Sequence, residues 1–203
     1  MAVQEKKSRI WYLALTGVIA VLLVILAQAL GPWGTPLSRV IRGAGMLGYL
    51  AVFLASLSSL YLRELVRFFG RPFIKVHHAV SITGLIMLLI HPLGAAWEAG
   101  SLAVFVPATG SWLGFLRAGG RPAWYSIGLA VLAAVLRKSL ARSWRAIHYL
   151  NYVAFLLASA HASLLGSDFQ HPVAKAVIIL MTLVIIGVFI RRRTMARKAP
   201  GKR

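Results

Sequence analysis

The stretch KVHHAVSITGLIMLLIHPLG, residues 75–94, places three histidines in an otherwise apolar run. His77 and His78 stand near its start, and His91 stands near its end. A polar side chain at membrane depth is costly, so it usually has a partner or a task. The stretch therefore predicts an apolar helix whose histidines serve a structural or a chemical purpose.

The whole chain is apolar in the same way. Of its 203 residues, 59% are hydrophobic and 13% are charged, and its mean hydropathy is +0.77. A soluble domain of this length needs a more polar surface. The composition predicts an all-α integral membrane protein, a single domain over residues 1–203, with membrane lipid around it.

Six segments have the character of membrane spans, each of which needs about 20 apolar residues with a range of roughly 17–25. They cover residues 10–30, 43–62, 74–92, 123–137, 146–165 and 172–190, the fourth being short. The sequence thus predicts a six-helix bundle. The connection over residues 93–121 is too apolar for a free loop, so we expect it to lie at the membrane interface or to fold back on the bundle.

The basic residues are unevenly distributed. The 23 Lys and Arg outnumber four acidic residues, for a formal charge of +19. Of these 23, 18 fall in the two tails and in the connections 63–75 and 137–145. Six spans put these segments on one side, which the positive-inside rule makes cytoplasmic. We therefore expect a multi-pass protein of the cell (inner) membrane with both termini in the cytoplasm, and no nucleic-acid binding.

The N-terminus also resembles a cleavable signal peptide, with KKSR before an apolar run and AQA at residues 27–29. The apolar core of a signal peptide is about 7–15 residues long. Residues 10–26 exceed that length. We therefore expect the first segment to remain as a span.

Histidines recur at two matching depths in the third and fifth predicted spans. His77 and His91 are 14 residues apart, about 21 Å of helical rise, and His148 and His161 are 13 apart, about 19.5 Å. Both spans run outward, so His77 matches His148 near the inner face and His91 matches His161 near the outer face. The chain has no cysteine, which excludes thiolate-bound clusters and c-type haem within it. Bis-imidazole binding of haem explains all four histidines.

Several alternatives stay open. His148 and His161 are about 140° apart on an ideal helix, so a tilt, a local unwinding or a π-bulge would be needed. His78 could replace His77 as the inner ligand. Each histidine could instead bond a neighbouring carbonyl in a haem-free transporter or assembly protein. A proton relay lacks the buried acids that usually accompany one, and zinc or copper needs ligands around one centre. His171 is expected at the interface.

At these residues the sequence resembles the ferric-reductase-like transmembrane domain superfamily. The motifs are HHAVSITGLIMLLIHP at residues 77–92 and RSWRAIHYLNY at residues 142–152. The superfamily includes ferric reductases, NADPH oxidases and the MsrQ family, haem-binding membrane subunits of a bacterial methionine sulfoxide reductase system. The second motif looks most like MsrQ. The resemblance covers most of the chain, but its motifs are short and only moderately specific for any branch.

The resemblance implies that His77 and His148 bind the iron of an inner haem b, and His91 and His161 that of an outer one. Some MsrQ members lack a histidine at the position of His77, so the inner pair fits other branches better. The implied function is electron transport as an oxidoreductase component.

The resemblance also implies redox partners. Ferric reductases and NADPH oxidases continue past the sixth span into flavin and nicotinamide domains, whereas this chain reaches RRRTMARKAPGKR without a Gly-rich nucleotide-binding segment. The expected donor is therefore a separate flavoprotein, carrying FMN or FAD, or a membrane quinol or quinone. The expected acceptor is an outer-face redox protein or a ferric chelate. An MsrQ-like role would make it a periplasmic molybdopterin reductase; a stand-alone ferric or oxygen reductase component is the alternative.

Overall fold

The computed structural model describes residues 11–69 and 73–198, without the side chains of Trp11 and residues 196–198. Residues 1–10, 70–72 and 199–203 lie outside this part, and with them five basic residues of the two tails, Lys6, Lys7, Arg9, Lys202 and Arg203. The described residues form helices and no strand. The α-helices are α1 (Trp11–Leu30), α2 (Pro36–Leu60), α3 (Leu62–Phe69), α4 (Phe73–Ala99), α5 (Trp112–Arg117), α6 (Gly120–Val135), α7 (Trp144–His148), α8 (Leu150–Leu165) and α9 (Pro172–Lys198), with short 3-10 turns at Leu102–Phe105 and Ser167–Phe169.

Four of the described helices are long and apolar enough to cross a membrane. They are Tyr12–Leu30, Pro36–Leu60, Phe73–Ala99 and Pro172–Met195, which match the first, second, third and sixth predicted spans. Large apolar side chains cover their outer surfaces, and on α1 Val18, Leu22 and Ile25 are more than half exposed. The prediction of an all-helical protein is confirmed for the described residues, and four of their helices have the length and composition of membrane spans.

The fourth and fifth predicted spans fall on shorter helices. α6 and α8 have 16 residues each, a rise of about 24 Å. The hydrocarbon core of a bilayer is about 30 Å thick. The described part of the structure thus has four helices of spanning length, whereas the sequence predicts six spans. The count of six remains a prediction.

Glycines bring α2 and α4 close together. A Cβ at Gly48 would lie 2.7 Å from Leu88 Cγ, and one at Gly84 would lie 2.6 Å from Ala51 Cβ. Small residues of this kind let the backbones of membrane helices approach each other closely. The contact fixes the position of α4, which carries His91, against α2.

Aromatic packing holds α8 in the middle of the bundle. The rings of Tyr49 on α2 and Phe155 on α8 stack with their centroids 4.5 Å apart. Ile178 and Ile185 of α9 are almost fully buried against the same cluster. The Tyr49 hydroxyl lies 2.8 Å from Ser159 Oγ, so the position of α8 is also fixed by a buried hydrogen bond.

The connection between α4 and α6 folds back on the bundle, one of the two expected arrangements. α4 continues through Pro92 to Ala99 and so extends beyond the predicted end of the third span. α5 then packs against α8, and the Tyr125 hydroxyl of α6 donates to the main-chain oxygen of Phe105 over 3.0 Å.

Candidate functional site

A cavity of about 680 Å³ lies among α2, α4, α6 and α8. Its wall is mainly apolar, with a few polar side chains, namely Arg42, His91, Arg121, Trp124, His161, Ser167 and Asp168. Pockets of roughly 300–1,000 Å³ with this kind of lining are typical of small-molecule and cofactor sites. The cavity is therefore the candidate functional site.

The two histidines that were predicted to lie near the outer face both line this cavity. His91 reaches it from α4 and His161 from α8. The two rings are near enough for their charges to interact. The structure thus brings together two imidazoles that are 70 positions apart in the sequence.

Each of these rings donates a hydrogen bond to a main-chain carbonyl. His91 Nδ1 lies 2.9 Å from the oxygen of Ile41 on α2, and His161 Nδ1 lies 2.7 Å from the oxygen of Arg117 at the end of α5. A carbonyl oxygen only accepts, so Nδ1 carries the proton. Nε2 is then left with a lone pair in the neutral ring, and metal-binding histidines use this arrangement.

A glycine lies against each of the two rings. A Cβ at Gly45 would lie 2.9 Å from His91 Nδ1. A Cβ at Gly120 would lie 3.0 Å from His161 Cδ2 and 3.2 Å from its Nε2. All three of these distances are shorter than ordinary carbon contacts of about 3.5–4.0 Å. Glycine therefore provides the space that these ring positions require.

The two inner histidines are also neighbours, although neither lines this cavity. The charges of His77 on α4 and His148 on α7 are near enough to interact. His148 Nδ1 lies 3.0 Å from the oxygen of Ala130, and His77 Nδ1 lies 2.9 Å from Ser58 Oγ. The Ser58 hydroxyl already donates to the oxygen of Ala55, so it accepts from the His77 ring. Both inner rings thus also carry the proton on Nδ1.

An asparagine distinguishes the inner pair from the outer one. Asn151 Nδ2 lies 3.1 Å from Nε2 and 3.3 Å from Nδ1 of His148, so the amide is close to both ring nitrogens. A metal bound at this Nε2 would have the Asn151 amide beside it. The outer pair is therefore more ready to bind a metal than the inner pair.

A break in the helix reduces the angular separation of His148 and His161. The N–H of Tyr149 donates to both Arg145 and Ala146, over 3.2 and 3.3 Å, and that of Tyr152 donates to the oxygen of Tyr149 over 3.0 Å. Such tight turns advance about 120° per residue in place of about 100°. Over three residues the gain is about 60°, so the separation falls from about 140° to about 80°. The helix is therefore locally overwound at this point, which differs from the tilt, the unwinding and the π-bulge named in the sequence analysis.

The two remaining histidines lie outside the cavity wall. His78 is exposed, with its ring centroid 5.9 Å from that of His77. His171 Nδ1 accepts from the main-chain N–H of Val173 over 3.3 Å at the start of α9. A local role at the end of a helix accounts for His171.

An ion pair that the sequence analysis did not place in the site lies in the cavity wall. Arg42 Nη1 is 3.3 Å from Asp168 Oδ1, and Asp168 is only 3% exposed. Burial raises the pKa of the Asp168 carboxyl above its usual range, and the Arg42 guanidinium opposes this rise. One signal was available: Asp168 is the only acidic residue after Glu98.

Unsatisfied polar atoms are concentrated around the same cavity. Four buried side-chain atoms of the described residues have no hydrogen-bond partner. Three of the four, Arg42 Nε, Trp124 Nε1 and Asp168 Oδ1, belong to residues of the cavity wall. An unsatisfied buried group costs about 1–3 kcal/mol. A polar ligand in the cavity could supply the missing partners.

The histidine pairs suit haem iron better than a bare metal ion. In residues 11–69 and 73–198, no group of three or more His, Cys, Asp or Glu is placed to hold a metal ion. Haem iron takes only its axial ligands from the protein, because the porphyrin supplies the other four nitrogens. Two imidazoles that line one cavity are therefore enough protein ligands for haem iron.

The fold and the site define a helical protein with four candidate membrane-spanning helices and a cavity lined in part by histidines. Comparison of the chain with models of protein families, with curated proteins and with solved structures found no match. The chemistry of the cavity is therefore the basis for the function of this protein.

Proposed function

We propose that this protein transfers electrons across a membrane through haem b bound between α4 and α8. The observation that carries the proposal is the arrangement of His91 and His161. Both line one cavity, and each donates its Nδ1–H to a main-chain carbonyl, which leaves Nε2 available for iron.

The residues of the cavity fit the cofactor. His91 and His161 would bind the iron, and the guanidinium group of Arg121 would pair with a propionate. The apolar wall would exclude water from the porphyrin. Bound haem would supply a one-electron couple, while the protein holds it in place and sets the surrounding charge.

We propose a second haem at the inner pair, between His77 and His148. The Nδ1 protons of both rings support this site, and the exposure of His78 favours His77 as the ligand. The contact of Asn151 with His148 favours the opposite view, in which the inner histidines are structural. Haem stoichiometry decides between one haem and two.

The proposed electron path starts at the cytoplasmic side and ends at the outer face. A separate flavoprotein or a membrane quinol would be the donor. A redox protein or a ferric chelate would be the acceptor, as in a methionine sulfoxide reductase-like system or a stand-alone ferric or oxygen reductase. α6 and the α7–α8 pair would complete six spans.

A difference spectrum of the purified protein tests the proposal. We expect a sharp b-type α-band in the dithionite-reduced minus oxidised spectrum, with one or two haems per chain by pyridine haemochrome assay. Protein purified from haem-sufficient cells without this band would support a haem-free transporter or assembly protein.

The orientation is tested separately. We expect a reporter fused after Arg203 to be active in the cytoplasm and one inserted within residues 100–115 to be active outside, because 18 of the 23 basic residues fall on one predicted side. A C-terminal reporter active only outside would contradict both the span count and the direction of electron flow.

A further inference from the structure

One buried acid has no role in holding haem. Asp168 lies in the 3-10 turn Ser167–Phe169, between α8 and α9, and its side chain forms part of the cavity wall. The other acids of the described residues, Glu64 and Glu98, are exposed. A buried ionisable group next to a redox site is a candidate for a functional role.

We propose that Asp168 is a proton site coupled to the redox state of the outer cavity, an inference that rests on the proposed function. When one electron arrives from the quinol or flavoprotein donor, Asp168 takes up one proton from the outer aqueous phase. When the electron leaves to the outer acceptor, the carboxyl returns that proton. The net charge of the site is the same before and after each transfer.

The other contacts of Arg42 limit the structural cost of protonating Asp168. Protonation weakens the ion pair in which Arg42 Nη1 lies 3.3 Å from Asp168 Oδ1. Arg42 also donates to Ser167 Oγ over 3.2 Å and to the oxygen of Pro32 over 3.0 Å. These two bonds hold the guanidinium in place when the carboxyl is neutral.

The negative charge of an added electron determines whether reduction favours or disfavours protonation of Asp168. An added electron in a site of low dielectric disfavours a nearby carboxylate, so the carboxyl binds a proton more tightly in the reduced state. Neutral Asp168 then leaves the positive charge of Arg42 uncompensated, which stabilises the electron. The reduction potential should therefore fall as pH rises.

Few other charged groups face Asp168. α2 contributes Arg42 and, farther away, Arg39. α8 carries His161, and the first turn of α9 follows His171 and includes Lys175. The end of α1 has no ionisable residue between positions 17 and 34. Arginine stays charged at any ordinary pH. Asp168 is the buried carboxyl among these groups, so it is the group to which we assign the proton.

A redox titration of the haem-loaded protein at several pH values tests this coupling. We expect the potential of the outer haem to fall with pH, approaching 59 mV per unit for one proton per electron. In Asp168→Asn the slope should be largely lost. Glu98→Gln, which removes an exposed acid from the outer end of α4, is the matched control and should keep the wild-type slope.

An infrared difference spectrum of the wild-type protein gives a second measurement that needs no variant. Reduction should produce a protonated-carboxyl C=O band that shifts in D₂O. A haem-loaded protein whose potential is independent of pH, or whose slope survives in Asp168→Asn, overturns this inference and leaves the proposed function intact. A protein that binds no haem overturns both.

Discussion

In the variants His91→Ala and His161→Ala, we expect the haem of the outer cavity to be lost. Each substitution removes one axial ligand and leaves the other imidazole to hold the iron alone. Haem content should fall to about half if both sites are filled in the wild type, and to near zero if only the outer site is. Residual haem should be five-coordinate or high-spin.

Three further variants complete that experiment. His77→Ala and His148→Ala should lower the inner haem and spare the outer one. His171→Ala is the control, because its ring bonds the main chain at the start of α9, and it should keep wild-type haem content. Unchanged content and spectrum in both His91→Ala and His161→Ala would overturn the proposed ligand set.

In Gly120→Ala, we expect weaker haem binding although no ligand is replaced. The new Cβ would lie 3.0 Å from His161 Cδ2 and 3.2 Å from Nε2, so the ring must shift. Such overpacking costs about 1–3 kcal/mol. Displacement of a ligand from its supporting contacts typically lowers metal affinity by about 10–100-fold. Haem titration of the purified variants measures the effect.

Gly187→Ala, in α9 and outside the cavity wall, is the control for that variant. Its Cβ would have no neighbour within 4 Å, and haem binding should stay near the wild-type value. Equal haem affinity in the two alanine variants would show that the space beside His161 does not set the position of the ring.

Depth along a helix could be predicted from the sequence, whereas angle could not. The spacing of His91 and His161 within their spans depends only on the rise per residue, and the structure places both in one cavity. The angle between His148 and His161 depends on the tight turn at Tyr149. The sequence around Tyr149 contains no proline or glycine that would mark this turn.

The sequence also did not predict the end of α4 or the polar residues of the cavity wall. It predicts that the third span ends at Pro92, but α4 continues past this residue to Ala99. A proline inside a membrane helix is tolerated when neighbours satisfy the freed carbonyl. Arg42 and Asp168 are 126 positions apart, so their pairing exists only through the tertiary packing of α2 against the turn after α8.

The 16-residue length of α6 has a consequence for the surrounding lipid. If α6 spans the bilayer as proposed, it falls about 6 Å short of the hydrocarbon thickness, whereas α8 is lengthened by α7. Lipids adapt to such a hydrophobic mismatch by local thinning, at fractions of a kcal/mol per Å. The bilayer beside α6 would then be thinner than average, and the cavity would lie closer to outer water than in a flat membrane. An acceptor at the outer face could approach the outer histidines without entering the protein deeply.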